Sequence, residues 1–192
     1  MNKLLEKFED FKKLNNYTFS YILENGLSVV FKLQQHQFPH LIGLQKLTDL
    51  SFVGKYIDKN DYSVTAKTIV RDIKREVITE DTLRASSHFS EIEPRYVFLT
   101  SENLLSLSFN EVIIDFNKKI LNTLLKSDYI LIEAKNKGFL HLGLVKTDSG
   151  IYVPETFFFE TTNYYTNNQK ILKIKEITIT DPSGKIVLHE NL

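Results

Sequence analysis

The first fifteen residues combine apolar and charged side chains with the spacing of a helix. Apolar residues recur every three or four positions from Leu4 to Leu14, and lysines and acids occupy the positions between them. A stripe of this kind buries one side of an α-helix and leaves the other in water. The pattern therefore predicts an opening amphipathic helix.

Two runs rich in aromatic and β-branched residues follow, over residues 17–23 and 27–33. The turn sequence Glu24-Asn25-Gly26 separates them, which predicts a β-hairpin. Pro39 interrupts the chain, after which leucines recur with helical spacing. Residues 62–107 have a mostly helical pattern that predicts two or three helices.

From Glu111 onward, apolar runs alternate with short turn sequences such as Thr147-Asp148-Ser149-Gly150. Short linkers between such runs join neighbouring antiparallel strands, so a meander is expected. A last turn at Asp181-Pro182-Ser183-Gly184 precedes a short terminal strand. The predicted class is α+β, a single domain over 1–192 in which N-terminal and inserted helices pack on an antiparallel meander sheet.

The composition excludes several classes of protein. Among 192 residues, 24 basic and 24 acidic side chains cancel, which argues against a protein that coats duplex DNA but leaves room for a small nucleic-acid site. The absence of cysteine excludes disulfides, thiolate zinc sites and a cysteine nucleophile. Neither a signal peptide nor a membrane-spanning stretch is recognisable, so a cytoplasmic protein without a membrane partner is expected.

Several common catalytic motifs are missing from the sequence. It contains no Walker-type glycine loop, no Gly-x-Gly-x-x-Gly, no Gly-x-Ser-x-Gly and no His-Glu-x-x-His. Dense carboxylate clusters typical of two-metal nucleases are also missing. Nucleotide hydrolases, Rossmann enzymes, α/β-hydrolases and zincin proteases therefore become poor candidates, and no metal or other cofactor is predicted.

Alternation along residues 139–145 predicts which side chains leave the core. With its three leucines facing inward, His141 and Gly143 face the other way. Gly143 has no side chain, so we expect open space beside His141 that suits a ligand backbone. The alternative is a half-buried strand histidine that hydrogen-bonds to a neighbour.

The next apolar run contains Pro154, which cannot donate a ladder hydrogen bond and so indicates an edge or a bulge. A bulge here is expected to aim Glu155 or Thr156 into a pocket. Plain alternation places Tyr152, Pro154 and Thr156 on one face. Tyr152, like Tyr164 and Tyr165, is a candidate for stacking on bases, although most aromatic side chains fill the core.

His40 and His141 begin two similar segments, His-Leu-Ile-Gly-Leu-Gln-Lys46 and His-Leu-Gly-Leu-Val-Lys146. We interpret these segments as two walls of one site. A loop histidine and a solvated surface lysine are the ordinary alternatives for His40 and Lys46.

Arg84 and Arg95 lie around a predicted helix break and are candidates for binding a substrate. The basic residues of 67–75 are mixed with acids, which is more typical of a solvated face.

Five short segments, in order over nearly the whole chain, resemble a phage-associated subgroup of the BECR nucleases, named for barnase, EndoU, the colicin ribonucleases and RelE. The segments span residues 38–44, 95–98, 128–131, 141–144 and 152–158. The resemblance implies a helical layer on a four- or five-stranded antiparallel sheet whose face carries the catalytic residues. The positions that carry over are His40, Arg95, His141 and Thr156, and Asp128 is as readily structural.

The activity implied is metal-independent cleavage of RNA by attack of the 2′-hydroxyl, which leaves a 2′,3′-cyclic phosphate. Histidine suits both proton transfers, so His40 and His141 would serve as base and acid in an undetermined order. Lys46 or Arg95 would stabilise the developing charge, and Thr156 would position the phosphate. The further substrate-binding residues in this scheme are Lys146, Tyr152 and Arg84.

The partners expected are RNA, with tRNA as one candidate, and an antitoxin or inhibitor protein that restrains a toxin-like nuclease. Two alternatives stay open. One is a non-catalytic binding or inhibitor module on the same scaffold, and the other is a catalytic domain for a nucleotide or modified base.

Overall fold

A computed structural model describes residues 2–105, 110–116, 125–135, 137–148 and 150–192. Contacts divide the chain into two compact units, which we call the helical unit (1–14 and 34–104) and the sheet unit (15–33 and 105–192). The single domain expected from the length of the chain therefore stays a prediction.

The described residues contain seven α-helices. They are α1 (Lys3–Lys12), α2 (Phe38–Leu41), α3 (Ser51–Ile57), α4 (Ala66–Lys74), α5 (Glu80–Arg84), α6 (Phe89–Phe98) and α7 (Ser101–Leu105). The predicted opening helix is confirmed by α1. The segment predicted to hold two or three helices holds four in its described part. Among the described residues, no helix has the length and apolar character needed to cross a membrane.

Polar side chains set the helix starts, and aromatic side chains hold the N-terminal helix. The hydroxyls of Thr65 and Thr79 accept backbone N–H groups at the starts of α4 and α5. On α1, Phe8 and Phe11 pack on Phe38, with ring centroids 5.4 and 5.5 Å apart. The apolar stripe seen in the sequence is the buried side of this helix.

The strands of the sheet unit form one sheet. They are β1 (Thr18–Leu23), β2 (Ser28–Lys32), β3 (Glu111–Ile114), β4 (Tyr129–Lys135), β5 (Gly138–Lys146), β6 (Tyr152–Glu160), β7 (Lys170–Thr180) and β8 (Ile186–Asn191). Their order is β1-β2-β6-β5-β4-β3-β7-β8. The hairpin and the terminal strand predicted from the sequence are confirmed, and the α+β class is confirmed with more strands than the four or five implied.

The sheet closes on itself instead of ending as a simple meander. Strands β3 to β6 are consecutive antiparallel neighbours, as predicted. Strand β7 does not follow β6 but pairs with both β3 and β1. A single parallel pair, Phe31 with Tyr152, joins β2 to β6. Because the sheet curves round to pair β7 with β1, the side chains on its inner face pack against those of the other strands.

Strands β4 and β5 have apolar side chains on both faces. One face carries the buried leucines of β5, and a second apolar cluster lies on the other. Ile130 pairs with Gly143 and Ile132 pairs with His141, so both isoleucines lie on this face. The buried residues of this second cluster are Ile113, Phe116, Ile130 and Ile132, with Leu125, Phe139, Tyr165 and Ile171 packed against them. Strand β5 is therefore buried on both faces.

Candidate active site

Strand β6 carries one extra residue between its two halves. Gly143 pairs with Thr156, whereas the next residue of β5, Leu144, pairs with Pro154. Glu155 is left as the additional residue, which defines a β-bulge. Pro154 has no N–H to contribute to the ladder, and this favours the interruption. Of the two alternatives that the proline indicates, an edge or a bulge, the structure has the bulge.

The bulge reverses the alternation of side chains along β6. Gly143 and Leu144 are adjacent and face opposite sides of the sheet, so their partners Thr156 and Pro154 also face opposite sides. Tyr152 therefore shares the face of Pro154. The prediction that Tyr152 and Thr156 lie on one face is wrong, because plain alternation takes no account of an extra residue.

A compact polar group, which we call the bulge cluster, consists of Ser127, Gly143, Glu155 and Thr156. The Ser127 hydroxyl donates a hydrogen bond to Oε2 of Glu155 over 3.1 Å. Ser127 and Thr156 are 3% and 4% exposed, whereas Glu155 is only half-buried. A carboxylate held by a buried hydroxyl thus keeps access to solvent.

Gly143 is packed tightly against this cluster. A Cβ atom at its position would lie 2.6 Å from Cγ2 of Thr156 and closer still to Oγ of Ser127. The open space expected beside Gly143 is filled by protein, so that prediction is wrong. The glycine instead allows Ser127 to approach the sheet.

His141 lies on the same face of β5 as Gly143, and its ring is enclosed. The ring stacks on Phe158 with centroids 4.5 Å apart, and Tyr165 meets it edge-on at 5.9 Å. Its exposure is 0%, and neither ring nitrogen has a partner of hydrogen-bond geometry among the described residues. The prediction that His141 leaves the core is wrong, because the second apolar cluster covers this face.

Burial lowers the pKa of His141 to about 4 from the ordinary 6.5, and the backbone of Phe139 opposes the shift to a smaller extent. The imidazole is therefore neutral at physiological pH. For His141 to exchange a proton with a substrate, Phe158 or Tyr165 must move aside.

Two tyrosines meet on the opposite face, at the end of the sheet near the bulge. The rings of Tyr129 and Tyr152 lie 4.9 Å apart at 63°. Burial raises the pKa of Tyr152, and its hydrogen bond with Tyr129 and the charge of Asp128 act in the same direction. Asp128 accepts the backbone N–H of Lys146 over 2.7 Å, and the lysine side chain is exposed.

In the helical unit, His40 and Arg95 lie near the same glycine. The backbone N–H of Gly43 donates to the carbonyl of His40 over 3.0 Å, and the φ of Gly43 is +85°. Cδ of Arg95 lies 3.0 Å from where a Cβ of Gly43 would be. Lys46 ends the following 3-10 turn, Leu44–Lys46, and is exposed. These three candidates thus belong to one region.

Arg84 is engaged by acidic neighbours. Its Nε lies 2.6 Å from Oε1 of Glu80, and Nη1 lies 3.5 Å from Glu93. The guanidinium also sits over the ring of Phe89, 4.5 Å from its centroid. A phosphate would have to compete with both carboxylates for this arginine.

The residues predicted from the sequence fall into two sets. The helical unit contains His40, Lys46, Arg84 and Arg95. The sheet unit contains Thr156 and His141 on one face, and Lys146 and Tyr152 on the other. Their combination in one site stays a prediction.

Sequence reasoning missed Ser127 and Tyr129. Tyr129 lies in one of the five resembling segments, but nothing in the sequence assigns a role to it or to Ser127. The contact of Ser127 with Glu155 and the contact of Tyr129 with Tyr152 reveal them. Within the described residues, no three histidine, aspartate or glutamate side chains are grouped so as to hold a metal ion.

A helical unit and a mostly antiparallel sheet define an α+β protein whose fold is consistent with that of the BECR nucleases. The model of one protein family, described as phage-Barnase-EndoU-ColicinE5/D-RelE like nuclease4, matches residues 3–192. The chain belongs to this family, PBECR4, and is a nuclease of the BECR superfamily. No curated protein and no solved structure gives a significant match to it.

Proposed function

We propose that this nuclease is a metal-independent endoribonuclease, in which the 2′-hydroxyl of RNA attacks the adjacent phosphate and leaves a 2′,3′-cyclic phosphate. The observation that supports this proposal is the bulge of β6, where the half-exposed carboxylate of Glu155 lies beside the buried hydroxyl of Ser127. Family membership supports nucleic acid as the substrate class. The mechanism selects RNA, because DNA lacks the attacking hydroxyl.

Glu155 is the general base in this proposal. A carboxylate within hydrogen-bond reach of the 2′-hydroxyl accepts its proton as the new P–O bond forms. The hydrogen bond from Ser127 fixes the orientation of the carboxylate. Thr156 is 4% exposed, so we assign it to positioning Glu155 instead of to direct contact with the phosphate.

The two predicted histidines are the candidates for the acid that protonates the departing 5′-oxygen. His141 lies two residues from Gly143 on the face of the bulge cluster, which is about 6.6 Å along the strand. Its aromatic cover must open before it can act. His40 is half-buried in α2.

Cations and hydrogen-bond donors must stabilise the charge on the phosphorane. Lys146 and Lys46 have exposed side chains that suit this role. Tyr152, whose hydroxyl hydrogen-bonds with Tyr129, is a further candidate for contacting a phosphate oxygen. Arg95 remains a candidate beside Gly43.

We further propose a toxin-like role in a phage or mobile element, with RNA as the target and an inhibitor protein as the partner. The family description supports the connection with phages. A ribonuclease that is active in its host cell needs such restraint.

The test compares wild-type protein with Glu155→Gln on total RNA and tRNA in EDTA, followed by end-group analysis. We expect cyclic-phosphate ends and a loss of about 10²- to 10⁴-fold in rate for the variant, the usual contribution of a general base. Glu190→Gln, which alters an exposed carboxylate on β8, is the matched control and should cleave like wild type.

Cleavage of DNA, or a requirement for magnesium, would overturn this mechanism. If folded wild-type protein cleaves no RNA at all, the non-catalytic binding module becomes the better proposal, and a pull-down for partner proteins follows.

A further inference from the structure

The loop between β6 and β7, residues 161–169, contains no charged side chain. Its sequence, Thr-Thr-Asn-Tyr-Tyr-Thr-Asn-Asn-Gln, consists of hydroxyl, amide and aromatic residues. In a chain with 25% charged residues, a surface loop of this composition stands out. Amides and hydroxyls both donate and accept hydrogen bonds, which suits the edges of nucleic-acid bases.

Hydrogen bonds give this loop a defined shape. The backbone N–H groups of Thr166 and Asn167 donate to the carbonyl of Asn163 over 3.0 and 2.9 Å. The N–H of Tyr164 donates to Oγ1 of Thr162 over 3.3 Å. A ligand that binds here therefore loses little affinity to ordering of the loop.

Tyr164 is the outer member of an aromatic column, which consists of Tyr164, Tyr165, Phe158 and His141. Tyr164 meets Tyr165 at 5.1 Å and 89°, and Tyr165 meets Phe158 at 4.7 Å and 60°. Tyr165 packs against the second apolar cluster, whereas Tyr164 is 48% exposed. The exposed ring thus packs on the half-buried Tyr165, which in turn packs on the buried Phe158.

Two lysines flank the loop. A Cβ at Gly138 would lie 2.9 Å from Cα of Thr161, so the turn that contains the exposed Lys137 lies against the start of the loop. Lys170 follows the end of the loop, and its side chain is 64% exposed. Its ion pair with Asp115 spans 3.5 Å between exposed groups and is weak enough for a phosphate to replace.

We propose that loop 161–169 is a base-binding subsite for single-stranded RNA. Tyr164 stacks on an unpaired base, the loop amides hydrogen-bond to its edge, and Lys137 and Lys170 contact the flanking phosphates. Stacking on an aromatic side chain requires a base that is not already stacked in a duplex, which selects single strands.

This inference rests on the proposed ribonuclease function and names the form of its substrate. The aromatic column and the bulge cluster share one face of β5 and β6, because His141 pairs with Phe158 two residues from the pair of Gly143 and Thr156.

The experiment measures fluorescence anisotropy of a labelled, unstructured 2′-O-methyl RNA oligonucleotide, which the proposed mechanism cannot cleave. Removal of one stacked base contact weakens binding by about 1–3 kcal/mol, so Tyr164→Ala should raise Kd by roughly 5- to 150-fold. Tyr164→Phe keeps the ring and should bind nearly as wild type. Tyr62→Ala, which removes a tyrosine that is 83% exposed in the helical unit, is the matched control.

The same oligonucleotide with abasic positions supplies the decisive comparison. Wild type and Tyr164→Ala should then bind equally, because no base remains for the ring to contact. Equal binding of the unmodified oligonucleotide by both proteins, no binding by wild type, or a difference that persists without bases would overturn the subsite. The assay does not depend on cleavage. A protein that binds the bases but cleaves no RNA would therefore overturn the proposed function and leave the base-binding subsite standing.

Discussion

The imidazole of His141 lies parallel to the ring of Phe158, with an angle of 4° between the planes and 4.5 Å between the centroids. Tyr165 closes one side of this stack. In this setting the histidine contributes as a neutral aromatic ring, and a positive charge would lose its hydration without gaining a counter-charge. The stability of the sheet unit is therefore coupled to pH.

The first prediction concerns acid stability. Above pH 6.5 the histidine is neutral in both states, and below it the unfolded chain binds a proton that the folded protein accepts only near pH 4. Stability should therefore fall as the pH decreases from 6.5 to 4, by about 3 kcal/mol from this residue. His141→Phe should show a smaller loss in urea unfolding between pH 7 and 4.5. Equal losses in both proteins would show that His141 titrates normally.

The second prediction concerns the contact at Gly143. Gly143→Ala places a methyl group against Ser127 and Thr156, which should lower the free energy of unfolding by about 1–3 kcal/mol. Gly54→Ala is the control, because the added methyl group meets no described atom within 4 Å apart from its chain neighbours and the backbone of its own helix. Alanine in α3 should stabilise by up to about 1 kcal/mol. Urea unfolding of both variants distinguishes packing from a general intolerance of glycine replacement.

The third prediction separates two roles of Arg84. Arg84→Gln leaves Glu80, which is 9% exposed, with a hydrogen bond from the hydroxyl of Tyr96 over 3.3 Å and the more distant charge of Lys7. We expect a lower Tm in a thermal melt, since a largely buried carboxylate loses its counter-charge. Arg75→Gln removes an exposed arginine of the same unit and should melt like wild type. Reduced RNA affinity of Arg84→Gln at an unchanged Tm would favour the predicted substrate contact instead.

The fourth prediction asks whether the two units supply one active site. If His40 and Glu155 act in the same step, His40→Gln and Glu155→Gln should each slow that step. The double variant should then cleave RNA only slightly more slowly than the less active of the two single variants. Single-turnover experiments measure the rate of the cleavage step in each variant directly. Multiplicative losses would place His40 outside the step that Glu155 catalyses.

Elements with a strong local pattern could be predicted from the sequence. The stripe from Leu4 to Leu14 gave α1, and the turn at Asn25-Gly26 gave the β1–β2 hairpin. Pro154 predicted an edge or a bulge because it lacks an N–H, a property of one residue that needs no knowledge of the fold.

Features that depend on long-range pairing could not be predicted. Alternation assigns His141 to a face of β5 but does not reveal that a second apolar cluster covers this face. The pairing of β7 with β1 joins segments more than 150 residues apart, and no local signal specifies it. Ser127 gained significance only through its contact with Glu155.

The extra residue at Glu155 makes the two halves of β6 independent of each other. Removal of one residue at this point would turn Tyr152 and Pro154 to the opposite side of the sheet and bring Val153 to the side that they occupied. Thr156 and Phe158 would keep their places. A single-codon deletion of Glu155 would therefore remove the proposed base and at the same time change the side chains that line this end of the sheet.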